Sequence, residues 1–138
     1  MNAEEFDALL AELNACSEAR RWAAGKSLAE VWNTCERGDW LLWLCGHMCG
    51  KKGWPTRKQL VLAACACAET ALKYVPEGEL RPKKAIEMAR KWARGKATIQ
   101  QVREAAGAAE AAWAAGAASL KESADIVRSI LKPKAVQP

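Results

Sequence analysis

The chain has 138 residues, a formal net charge of +5 and 51% hydrophobic residues, which is the size of one domain and enough to bury a core without metal or disulfide staples. Trp occurs seven times and Phe and Tyr once each, and with alanine abundant and β-branched residues sparse the composition is all-α. A single histidine leaves most acid–base mechanisms without their usual residue, and no apolar span reaches the length of a membrane helix.

In chain order, helices are predicted over 3–15, 17–24, 28–37, 40–49, 57–75, 82–94, 98–115 and 120–132. Together they would form a compact single-domain bundle of seven or eight short helices over residues 1–132, with 133–138 as a frayed tail. Helix starts are legible because one pattern recurs. Asn2 with Glu5, Ser27 with Glu30, Thr56 with Gln59, Thr98 with Gln101 and Ser119 with Glu122 each place a capping acceptor three residues before Glu or Gln. In such a box each side chain reaches the other residue's free backbone N–H. Asp39 is expected to cap the 40–49 helix, and Pro82 suits a first helical position. Gly25, Gly38, Gly50 and Gly95 follow apolar runs and read as stops, as does Pro76.

The 40–49 helix, Trp40-Leu41-Leu42-Trp43-Leu44-Cys45-Gly46-His47-Met48-Cys49, is almost wholly apolar. Such a helix belongs inside a fold, so it should be the centre of the domain. The 57–75 helix is nearly as apolar and should pack against it. Trp40, Leu44, Leu62, Cys65, Leu72, Ile86 and Trp92 are expected in one contiguous core. The 82–94 helix is amphipathic, with Ala85, Ala89 and Trp92 in one stripe and Lys84, Glu87, Lys91 and Arg94 outside. The 98–115 helix is alanine-dense, and Trp113, bracketed by Gly107 and Gly116, should fill much of the space left by small residues.

No export signal opens the chain, so a cytoplasmic location and reduced thiols are expected for the six cysteines. Five of them sit among Ala, Leu and Trp, where free Cys behaves as a small hydrophobe. Cys45-x-His47-x-Cys49 resembles a metal motif, but on a helix His47 points about 200° away from Cys45. A zinc site there needs a broken helix and a further ligand such as Cys35. No metal, cofactor or catalytic residue is expected, because no nucleophile elbow, phosphate loop or paired-carboxylate cluster is visible. Glu77 and Glu79 read as solvated turn residues.

Charge is uneven along the chain. Residues 1–50 carry four basic and eight acidic side chains, whereas 81–103 carry eight basic and one acidic. Arg81, Lys84, Arg90, Lys91 and Arg94 are therefore candidate binding residues for an acidic protein surface or for phosphates. Trp54, in the turn Gly53-Trp54-Pro55, is harder to bury than the other indoles and joins them as a candidate contact.

The run Leu62-Ala63-Ala64-Cys65-Ala66-Cys67-Ala68-Glu69-Thr70-Ala71-Leu72, then Pro76-Glu77-Gly78-Glu79-Leu80-Arg81-Pro82 and Ala85-Ile86-Glu87-Met88-Ala89-Arg90-Lys91-Trp92-Ala93-Arg94-Gly95, resembles predicted immunity proteins of bacterial polymorphic-toxin systems. The upstream Cys35-Glu36-Arg37-Gly38-Asp39-Trp40 and the ending Ala124-Asp125-Ile126-Val127-Arg128 are similar to phage and metagenomic relatives. The alanine-rich stretch is short here and lacks the histidines many relatives carry. The resemblance implies a small non-enzymatic helical protein that neutralises a protein target. That target would be a toxin, or, for a phage-encoded anti-CRISPR inhibitor, a host defence effector such as a CRISPR nuclease. The alternatives are a nucleic-acid or nucleotide binder using the 81–103 face, and a cysteine or zinc enzyme.

Overall fold

A computed structural model describes residues 1–113 and 120–137. Among them are eight α-helices and no strand: α1 (Ala3–Glu12), α2 (Ser17–Ala23), α3 (Leu28–Thr34), α4 (Gly38–Met48), α5 (Arg57–Ala71), α6 (Arg81–Ala93), α7 (Ile99–Trp113) and α8 (Leu120–Ile130). Two 3-10 turns, Leu72–Tyr74 and Lys134–Val136, complete the set. Expectations for the Trp113 side chain, Gly116 and the Ser119–Glu122 cap lie outside the described residues.

Four capping boxes form as read. Asn2, Ser27 and Thr56 accept from the backbone N–H three residues on while Glu5, Glu30 and Gln59 reach back. Thr98 and Gln101 make the same reciprocal pair at 3.2 and 2.8 Å. Two other boundary readings need correction. Gly38 is the first residue of α4 rather than the stop of α3, and Asp39 is the second residue of α4 rather than the residue before it, its carboxylate accepting from the backbone N–H groups of Trp40 and of Asp39 itself. The same carboxylate receives a two-pronged ion pair from Arg37, at 2.9 and 2.7 Å. The reason is steric: a Cβ on Gly38 would sit 2.4 Å from the Ser123 Cβ and 2.6 Å from the Ala124 nitrogen. Only glycine lets α4 begin against the α8 backbone.

α4 divides the core. Leu41 and Cys45, one turn apart, face Trp32, Cys35, Ala63, Cys67, Ala124, Val127 and Leu131. Leu44 and Met48, interleaved with them on the same face, pack into Phe6, Leu10, Ala23, Leu28 and Val31. One buried arc thus serves both clusters, and the apolar Leu42 and Trp43 outside it are half-buried. The enclosure is incomplete, however, because His47 is exposed.

The single contiguous core is likewise corrected. Leu44, Cys65 and Ile86 are buried, Trp40, Leu72 and Trp92 are half-buried, and Leu62 is 41% exposed. Leu62 shares a helical sector with Lys58 and Glu69, the solvent side of α5, while Ala63 and Cys67 one turn apart take the core side. Cys65 and Ile86 belong to neither central cluster. They meet where α6 packs on α5, the Cys65 thiol pointing at the Ile86 carbonyl at 3.8 Å. α7 packs on α6, and along α7 Val102 and Ala105 are half-buried and Ala109 is buried.

α3 ends without a glycine stop. Arg128 of α8 serves instead, donating to the carbonyls of Trp32 at 3.2 Å and Cys35 at 2.6 Å while paired with Asp125. These are carbonyls that a helix end leaves without partners. The tail folds back where fraying was expected. The Ala135 N–H donates to the Gly53 carbonyl at 3.1 Å, Pro133 is buried, and Val136 packs on both clusters.

Candidate binding surfaces

The thiols and the histidine were the one hint of chemistry, and the fold separates them. Cys45 is buried in α4, whereas His47 lies on the surface, its ring tilted over Trp43 at 4.2 Å with Nδ1 3.0 Å from the Trp43 carbonyl oxygen. Among the described residues no three His, Cys, Asp or Glu side chains are grouped to hold a metal ion. Burial pushes the Cys45 thiol up to about 12 and also raises Cys35, Cys65 and Cys67. A nucleophilic or metal-binding thiol needs the reverse shift. Cys16 is exposed at the start of α2 and Cys49 is half-buried.

The α6 face is built by amphipathicity. Burial of Pro82 and Ile86 against α5 turns Lys84, Glu87, Lys91 and Arg94 outward within one arc of the helix. Of the five basic candidates there, two are occupied within the fold. Arg81 grips Glu79 with both Nε and Nη2, at 2.8 and 2.5 Å, and Glu79 also accepts from the Arg81 backbone N–H. These bonds hold the Glu79 carboxyl down at about 2. Glu79, read as a plain turn residue, thus helps start α6. Arg90 reaches back to Glu69 of α5 and ties the two helices together, which lowers the Glu69 carboxyl. Lys84, Lys91 and Arg94 are left exposed or half-exposed with no ion pair among the described residues.

Trp54 is not brought to this face. It is half-buried and packs against both central clusters, beside the returning tail. Sequence reasoning missed two further features. A cleft of about 470 Å³ opens between α1, α2, α3 and α4, walled by Trp22, Trp40, Trp43, Phe6 and Leu10. Its indoles are partly covered by cations, Arg37 lying 4.4 Å over Trp40 and Lys26 4.8 Å over Trp22. A second depression of about 340 Å³ lies beside Trp54, between Pro55, Gln59 and the segment 130–134. Neither shows as a local sequence signal, since each is assembled from separate stretches.

No helix among the described residues is long and apolar enough to cross a membrane. No curated protein matches the chain, and no solved structure does. One family model matches residues 55–129, the stretch carrying α5, α6, α7 and nearly all of α8. The match takes in a little over half of the chain and all of the basic α6 face, so the protein belongs to the family described as Imm-5 like putative immunity protein.

Proposed function

We propose that this protein neutralises a bacterial toxin by binding it, without catalysis of its own. Membership of an immunity-protein family is the observation that carries the reading. The solvent face of α6 supports it and supplies the candidate contact. Lys84, Lys91 and Arg94 outnumber Glu87 on one arc inside the matched segment, and no ion pair is made to them among the described residues. A partner with an acidic surface would complement that excess and be drawn in by it. Between a toxin and a defence effector such as a CRISPR nuclease as target, the family favours the toxin.

Nucleic-acid binding rests on the same face and is weaker for a structural reason. Arg81 and Arg90 are engaged with Glu79 and Glu69, which leaves few cations to meet phosphates. With each neutralised phosphate adding about −0.9 to the salt slope on duplex DNA, binding through so few contacts fades by about 0.2 M salt.

The test is co-expression with toxins of the same class in a growth assay. Rescue by the parent, with weaker rescue by a folded Lys84→Glu/Lys91→Glu variant, is the expected result. Equal rescue by parent and variant would remove α6 from the interface, and no rescue against any toxin would remove the function.

A further inference from the structure

The Gly53–Thr56 turn and the end of the chain both lack acids. No Asp or Glu occurs between Cys49 and Ala68, and none follows Asp125. The fold joins these two stretches through the bond from the Ala135 N–H to the Gly53 carbonyl, and Trp54 and Val136 pack against the same two clusters. Lys132 and Lys134 line the depression beside Trp54, Lys51 and Lys52 stand on the turn that precedes it, and Arg57 and Lys58 open α5 next to it. All six are exposed, and none has an ion pair among the described residues. The amino end of α5 adds its own positive end to the same place. The lining is mixed: Ile130, 46% exposed, and half-buried Trp54 supply an apolar patch over buried Pro55 and Leu131, and polar surface makes up the rest.

We propose that this groove docks an acidic polypeptide segment of a protein partner, with one apolar side chain on the Trp54–Ile130 patch and flanking carboxylates on the lysine rim. An apolar centre ringed by charge is the anatomy of a protein contact. The other polyanion, single-stranded nucleic acid, is held by successive bases stacked on aromatic side chains. The lining has one aromatic ring, Trp54, and that ring is half-buried against the two central clusters. The groove is distinct from the α6 face. It deepens the neutralisation reading by naming the chemistry of a partner segment, and it rests on that reading only in supposing a protein partner.

The probe is a synthetic peptide with one leucine between paired glutamates, titrated against the labelled full-length protein and followed by NMR. Saturable shifts are expected at the Trp54 indole N–H, Gly53, Gln59 and residues 131–135. Replacing the glutamates by glutamines removes the binding, and Lys132→Glu/Lys134→Glu weakens it about tenfold, the scale of two rim charges. Lys51→Glu/Lys52→Glu does the same and serves if the tail variant loses its fold. Arg21→Glu/Arg103→Glu, with the same change in net charge, leaves binding unchanged. Shifts scattered elsewhere, equal binding of the glutamine peptide, or displacement of the peptide from the groove by oligothymidylate would overturn the assignment. Growth rescue is read separately, so failure here leaves the neutralising role to its own test.

Discussion

At Gly38 the fold turns on a missing carbon. A Cβ there would meet α8 backbone at 2.6 Å, and backbone cannot swing away as a flexible side chain can. Gly38→Ala should therefore cost about 1–3 kcal/mol in a urea melt, the range for overpacking. A neutral result would mean that α4 and α8 cross more loosely. Arg128 makes a second point of dependence. Its replacement by Met leaves the Trp32 and Cys35 carbonyls without their donor, at a cost of about 1–3 kcal/mol. Neither role shows in the sequence: Gly38 reads as a stop and nothing local marks Arg128, because both meanings come from a helix far away in the chain. The thiols were more legible, since Cys45 and Cys67 sit among Ala and Leu and are buried. They also set a pH limit. Their folded-state values are raised, to about 12 for Cys45, whereas a thiol in the unfolded chain ionises near about 8.5. The stabilisation is thus complete below that pH and falls away as pH rises towards the folded value. Denaturation midpoints should drop between neutral pH and about pH 10.5, and Cys45→Ala should flatten the drop.

Among the elements, helix starts were legible and ends were not. A capping box is local chemistry between residues three apart, so Asn2, Ser27, Thr56 and Thr98 announce their helices. Ends depend on what accepts the last carbonyls, and α3 stops at Thr34 because Arg128 waits there. Ser27→Ala should cost about 1 kcal/mol, as caps usually do. Burial within an apolar helix is harder to assign, because buried and part-exposed positions carry the same residue types in α4 and α5. Leu44 and Leu62 divide the cases. Leu44→Ala should cost about 2–5 kcal/mol, while Leu62→Ala, on the solvent side at 41% exposure, should stay within about 0.5 kcal/mol. Equal costs in the two melts would contradict the division of the core.

Over the whole molecule, the all-α class was readable from composition, while the surfaces were readable only where one helix makes them. The α6 face came from a single amphipathic run, although Glu69 and Glu79 claim two of its arginines. The groove at Trp54 joins the middle of the chain to its end, and no local pattern announces such a meeting. The proposed role is that of a stoichiometric binder. Its test is a titration into a fixed amount of the toxin, after nuclease treatment, with the toxin's activity as the readout. Activity should fall linearly to zero at a fixed whole-number ratio, at once and unchanged with time. Complete inactivation that grows with time at a small fraction of that ratio would show turnover, and would contradict that role.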